Sequence, residues 1–157
     1  MSGADVAAET LPWEPEAVFD QLQGAWRLDR RIGEEATMTG KAQFGPCEFD
    51  RLSYKESGRL VLKSGTSHEA YRSYIYSRLP DGFQVWFDEP EPRLFHDVHL
   101  RRAGDALCGK VTHLCGQDNY ETHYRFSADA SFCITHNVRG PKKDYVSITV
   151  FIRDREL

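Results

Sequence analysis

The side chains best equipped for chemistry crowd into one short run, VTHLCGQDNYETHYRF, residues 111–126. With Gly116 and Gln117 as a two-residue turn, antiparallel pairing sets Cys115 opposite Asp118, His113 opposite Tyr120 and Val111 opposite Thr122, all on one face. Lys110, Glu121, His123 and Arg125 occupy the other face, and their charges belong in water. The His113 face therefore points inward, and Tyr124 and Phe126 continue it. An imidazole, a thiol, a carboxylate and phenols on one inner face each cost free energy unless they find a hydrogen-bond partner.

Three readings compete for this cluster. It is a polar network bracing the turn, with Asp118 bound to turn amides. It is the wall of a ligand site, in which His113, Tyr120 and Tyr124 orient a small molecule. Or it is an acid–base centre of isomerase, hydratase or lyase type, with His113 as base and Asp118 or Tyr120 positioning or donating a proton. A His113–Cys115 thiolate lacks a group to orient the imidazole and an oxyanion hole. A metal would need a third donor such as His96 or His136, and no spacing supports one. No metal and no cofactor is expected, with haem held by an inward His96, His113 or His136 as the alternative.

Other inward positions follow from alternation. In QLQGAWRLDRRI, Trp26, Leu28, Arg30 and Ile32 share a face, so Arg30 points into the interior or reaches a rim along its stem. In EAYRSYIYSRLPDGFQVWFD, a four-residue loop Leu79–Gly82 puts Arg72, Tyr74 and Tyr76 on one face with Val85 and Phe87, whereas a three-residue loop puts them with Trp86 and Asp88. The first arrangement is favoured, and it makes Arg72 and Tyr74 contacts for an anionic or carbonyl group. In LFHDVHL, His96 is chosen as inward with Val98 and Leu100, leaving Phe95, Asp97 and His99 outside. The loop of NVRGPKKDYVS carries Lys142 and Lys143 to one rim, where Lys143 is able to neutralise an anionic ligand.

These residues need a scaffold of strands. A chain of 157 residues fits one core. Hydrophobic residues at 40% and charged residues at 28% describe an ordinary globular protein. The net charge of -4 is spread along the chain, which gives a phosphate backbone no basic stripe, so nucleic acid is excluded as a partner. No stretch approaches a membrane span, and the N-terminus lacks the basic start and apolar run of a secretion signal. A cytoplasmic location is expected, with Cys47, Cys108, Cys115 and Cys133 as thiols and no CxxC.

Residues 1–12 read as a flexible leader and 13–157 as the folded domain. A short helix from Pro15 to about Leu22 buries Val18, Phe19 and Leu22 and plugs a barrel floor. Strands are predicted at 24–32, 37–45, 48–56, 59–63, 69–79, 83–88, 94–101, 107–115, 118–127, 131–139 and 144–153. Gly24-x-Trp26 on the first strand, answered by Arg153 on the last, suits a closed up-and-down barrel sealed at one end by a guanidinium over an indole. The fold class is all-β, a single antiparallel up-and-down barrel with a short N-terminal helix.

The order QLQGAWRLDRRI, YRSYIYSR, FHDVHL, THLCGQDNYETHYRF and NVRGPKKDYVSITVFIR resembles an uncharacterised family of small single-domain proteins known only as a domain of unknown function. The likeness spans residues 19–153, and its most specific pieces are His-x-Cys-x-x-Asp-x-Tyr and Gly-Pro-Lys-Lys-Asp-Tyr. It implies a lipocalin-like, or more broadly calycin-like, barrel and no established activity. Arg30, Arg72, Tyr74 and His96 coincide with that pattern, as do His113, Cys115, Asp118, Tyr120 and Lys143. The expected partner is a small molecule, amphipathic or anionic, with a homodimer left open.

Overall fold

The structure is a computed structural model that describes residues 11–155. A short helix, α1 (Val18–Leu22), precedes eleven strands: β1 (Gly24–Ile32), β2 (Ala36–Cys47), β3 (Arg51–Leu62), β4 (Ser67–Leu79), β5 (Gly82–Phe87), β6 (Arg93–His99), β7 (Arg101–Ala103), β8 (Ala106–Cys115), β9 (Asp118–Ser127), β10 (Phe132–Arg139) and β11 (Asp144–Arg153). The strands form one antiparallel sheet in the order β6-β5-β4-β3-β2-β1-β11-β10-β9-β8-β7. This is an up-and-down meander in which the first and last long strands pair, Trp26 lying opposite Arg153. The sheet curls until β8 meets β6, giving an all-β, nearly closed barrel.

That last seam closes by contact. Gly109 on β8 lies so near β6 that a side chain there would sit 2.9 Å from the His99 carbonyl oxygen and 3.0 Å from Val98 Cγ1. The chain leaves β6 at Leu100, which turns into the core with its amide donating to the Asp81 carbonyl at 2.8 Å. The strand expected over 94–101 is thereby split, and its last residue starts β7.

A second difference concerns the expected strands 48–56 and 59–63. They are one strand, β3, because Gly58 is no turn: it faces Gly40 across the β2–β3 ladder. A Cβ at Gly40 would collide with the Ser57 carbonyl, and one at Gly58 would stand 3.0 Å from Gly40 Cα. Facing glycines let the two backbones approach closely, as a strongly coiled barrel strand requires. The favoured β4–β5 register holds, with Tyr74 opposite Phe87, Tyr76 opposite Val85 and Arg78 opposite Phe83. So does the β8–β9 register, with His113 opposite Tyr120 and Cys115 opposite Asp118.

The lower half of the barrel is packed with rings. Phe132 stacks on Phe151 at 4.4 Å and meets Trp26 edge-on at 4.8 Å, while Trp13 leans on Phe126 at 4.8 Å. Helix α1 closes this end with Val18, Phe19 and Leu22 all buried. Residues 1–10, most of the expected leader, lie outside the described residues, and Leu11 is already in the core at 8% exposure. The Arg153 guanidinium lies 4.0 Å over the Trp26 ring. It also donates to the Gln23 and Gln21 carbonyls at 2.9 and 2.6 Å, satisfying acceptors that the helix end leaves free. Gly24, at φ +124°, keeps the strand start clear, since a Cβ there would stand 2.9 Å from Arg153 Nη1.

Replacing Arg153 with alanine removes one cation–π contact and two charge-assisted hydrogen bonds from the floor. The expected loss is about 2–3 kcal/mol in urea unfolding. Arg153→Lys recovers only part of it, because an ammonium cannot serve both carbonyls and the ring face.

Candidate functional site

Above the aromatic floor, the interior turns polar. Arg30 on β1 and Glu56 on β3 both point inward and are 6% and 4% exposed. Their ion pair is bidentate, Nη1 to Oε2 at 2.7 Å and Nη2 to Oε1 at 2.9 Å. Arg30 Nε also donates to Thr149 Oγ1 at 2.7 Å, and the Tyr54 hydroxyl donates to Glu56 Oε1 at 2.5 Å. Burial pushes the Glu56 carboxyl up, but hydrogen bonds from Arg30 and its positive field, with Tyr54 and Arg72 assisting, bring it below the usual carboxylate range. Burial likewise opposes charge on Arg30, and the Glu56 carboxylate outweighs it. The pair is ionised.

A second chain of polar groups runs along the opposite wall. The Tyr124 hydroxyl stands 2.7 Å from His96 Nδ1, His96 Nε2 is 3.4 Å from Thr122 Oγ1, and Thr122 Oγ1 is 2.9 Å from His136 Nδ1. His96 and Tyr124 are buried at 1% and 3% exposure. Desolvation, aided by electrostatic repulsion between its imidazolium form and the neighbouring His136 and His113, lowers the His96 pKa to about 3. Desolvation and the charges of Arg72 and Arg30 lower that of His136 to about 4. Both imidazoles are neutral near pH 7.

His96 faces inward as expected, but Phe95 does so as well. The β5–β6 register shifts between Val85 and Trp86, pairing Val85 with His96 and Trp86 with Leu94, so that Phe95 is the extra residue of a bulge. Its ring stacks on His96 at 3.7 Å and on Tyr74 at 5.9 Å. Strict alternation had put Phe95 outside; the bulge overrides it.

The open space lies at the mouth. A cavity of about 150 Å³ is bordered by Arg72, Tyr74, Phe95, Tyr120 and His136, with Arg30 at its edge. An inner extension of about 20 Å³ runs down toward Glu56, Tyr54 and Tyr124. A larger concavity, about 740 Å³, lies on the outer wall among Lys110, His123, Arg125 and Cys133, whose side chains face away from the lumen. The convergent buried polar groups are in the lumen, so the mouth is the candidate site.

The structure brings some predicted residues together and separates others. Arg72, Tyr74, Tyr120 and His136 border the mouth cavity, and Tyr124 borders its extension. Arg30 is present but committed to Glu56. His96 stands behind Phe95, outside both linings. His113 makes no hydrogen bond among the described residues: its ring meets Phe95 edge-on at 5.4 Å and is 6.4 Å from that of Tyr120. Asp118 is 3.6 Å from Lys143 Nζ, which also donates to the Tyr120 hydroxyl at 3.1 Å. The expected His113–Asp118–Tyr120 grouping is therefore not joined. The β8–β9 hairpin runs past the rim, so that Thr122 is fully buried, His113 half-buried and Cys115 exposed. Cys115 borders neither part of the lumen. Among the described residues no three His, Cys, Asp or Glu side chains gather where they would share a metal ion.

Sequence reasoning missed Glu56, Thr122 and Ser147. Glu56 closes the strand expected over 48–56, where the alternation Leu52, Tyr54, Glu56 already sets it on the inner face, but it was given no role. Thr122 was assigned to the inner face without a role. Ser147, 7% exposed, sits between Ile32 and His136 in the ladder and borders the mouth.

Fold and site together define a lipocalin-like barrel, packed at one end and open at the other. The chain belongs to the family of unknown function DUF6314, whose model matches residues 22–153. Comparison with curated proteins finds no match. Among solved structures it is similar to the S-type phycobiliprotein lyase CPES from Guillardia theta, with 9% identity, a TM-score of 0.53 and 100% of each chain covered. It also matches EF1p2_mFAP2b bound to DFHBI at 11% identity and a TM-score of 0.41, covering 90% of this chain and 100% of that one. The lyase likeness is one of fold.

Two stability measurements test the interior. Glu56→Leu strands the Arg30 charge and is expected to cost about 3–5 kcal/mol, whereas Arg30→Met combined with Glu56→Leu recovers most of it. The depressed histidine pKa values act in the opposite pH direction from a salt bridge formed by His⁺. Near pH 7.5 neither folded nor unfolded imidazole is charged; as pH falls through about 6.5 only the unfolded chain takes up protons. Stability therefore drops on acidification, by about 2 kcal/mol per histidine at pH 5. Urea unfolding at about pH 7.5 and 5 reads the change, and His136→Gln removes roughly half of it.

Proposed function

We propose that this protein binds a small molecule in the mouth of its barrel, with Arg72, Tyr74, Tyr120 and His136 orienting it above the Arg30–Glu56 pair. One observation carries the reading: a void walled by aromatic rings receives several hydrogen-bond donors that the protein itself does not use. Packing alone gives no reason to maintain such groups around empty volume. Lys143 and Asp118 form a rim, where the hydrogen bond from Lys143 holds the Tyr120 phenol in position. His113 and Cys115 take no direct part. The reading is one of binding: His113, the side chain read as a general base, lies outside the lining of the lumen. The reading also places the protein in a reducing, cytoplasmic compartment, which the four unpaired thiols support.

The ligand should stabilise the folded state by RT ln(1 + [L]/Kd), about 2.7 kcal/mol at roughly 100 Kd. For a chain of this size that is a rise in Tm of about 5–10 °C. A thermal-shift screen of small metabolites reads it, with Ser147→Phe as control because the phenyl ring fills the mouth from a buried lining position. The expected outcome is at least one compound whose shift disappears in the variant while the unliganded Tm holds. A screen in which every shift survives Ser147→Phe would count against the lumen as the site.

A further inference from the structure

The direction of the Tyr124–His96–Thr122–His136 chain is fixed by its buried end. The Tyr124 hydroxyl has His96 Nδ1 as its one partner among the described residues, and a buried hydroxyl proton must be donated somewhere. Tyr124 therefore donates to His96 Nδ1, which puts the His96 proton on Nε2, facing Thr122 Oγ1. Thr122 in turn spends its proton on His136 Nδ1. His136 is left with its N–H on Nε2, which has no partner among the described residues, on a ring that borders the mouth cavity. Protonating His136 would not change this, because an imidazolium also carries a proton on Nε2.

The remaining polar groups have the same sense. Arg72 makes no ion pair among the described residues, and its positive charge acts on the neighbouring Tyr74 phenol. Lys143 donates to the Tyr120 oxygen, leaving that phenol's proton free. Among the described residues no carboxylate borders the outer mouth cavity, and the one at its inner extension, Glu56 opposite Arg72 on β3, is already bound by Arg30 and Tyr54. The Arg30 charge is cancelled by Glu56 and that of Lys143 is met by Asp118, so Arg72 is the surplus cation. Around these donors stand the rings of Tyr74, Phe95, Tyr120 and Tyr145. The cavity, about 150 Å³ and open on one side, has room for a single six-membered ring.

We infer that the ligand of the barrel mouth is a monocyclic aromatic carboxylate, its ring set among Phe95, Tyr74 and Tyr120 and its carboxylate held by Arg72 and His136. This rests on the binding reading above and gives it a chemical class. The carboxylate supplies the one kind of group the lining lacks, an anionic acceptor, and Arg72 is suited to meet two oxygens at once. The flat ring meets the aromatic walls face to edge.

The probes are benzoate, benzamide, benzylamine and cyclohexanecarboxylate at millimolar concentration, titrated into the isotopically labelled protein and followed by amide chemical shifts. Benzoate is expected to move the amides of Phe95, His136 and Ser147 and to bind about tenfold or more tightly than benzamide, with benzylamine not binding. Arg72→Met should remove that preference for benzoate over benzamide, and Arg72→Lys should restore part of it. Arg72 is exposed on β4, so the fold does not depend on it, and unchanged spectra of the free variants check this. Benzamide or benzylamine binding as well as benzoate overturns the carboxylate assignment; cyclohexanecarboxylate matching benzoate overturns the aromatic one. If none of the four binds but the metabolite screen yields a ligand sensitive to Ser147→Phe, the class is wrong and the site stands. Failure of both removes the site.

Discussion

The Arg30–Glu56 ion pair divides the barrel. Below it, rings from β1, β9, β10 and β11 fill the lumen; above it, the space stays open. Two charges taken out of water are tolerated only when geometry and further hydrogen bonds offset the desolvation, and the surroundings are built to do so. The pairing is bidentate, Thr149 takes the remaining guanidinium Nε–H, and Tyr54 donates to the carboxylate. A hydrophobic pair of equal volume would close the barrel as well but would leave no polar floor. Because Glu56 answers Arg30, the positive charge of Arg72 is left for whatever enters from outside.

The opposite wall depends on a local irregularity. The β5–β6 bulge turns Phe95 inward beside His96, which hides one imidazole and gives the mouth an aromatic side. The histidine thus becomes an internal link, buried between a phenol and a hydroxyl, while His136, one strand pair away, is left facing the opening. Desolvation keeps both rings neutral, so the chain between them holds one orientation through the physiological pH range.

How much of this was legible in the sequence varied with the kind of signal. Alternation located the inner faces of β1, β4 and β9, and the Gly116–Gln117 turn set the β8–β9 register. The Trp26–Arg153 seal could be read from residue types alone, because an indole opening the first strand and an arginine closing the last have few other uses in a meander. Two features escaped. Gly58 looks like punctuation, yet its role is to let two backbones touch, which shows only when Gly40 is seen across from it. Phe95 escaped because a bulge changes parity without any mark in residue type. The candidate site suffered most from a third limit: parity gives the direction of a side chain but not its height along the barrel. His113, Cys115 and Asp118 point inward at a level where there is no longer an inside.

Closing the barrel by contact at Gly109 also bears on how the molecule behaves among its own copies. A ladder completed all round would leave no free strand edge; here the two outermost strands each retain one, and such edges invite a neighbour to extend the sheet. The edge strands are poorly suited to that. β7 is only three residues long and two of them are Arg101 and Arg102, while β6 starts at Arg93, all exposed. Short length at one margin and charged side chains at both work against a neighbouring copy adding its strand there, so the opening that spares the barrel a rigid closure is guarded where the chain leaves it unpaired.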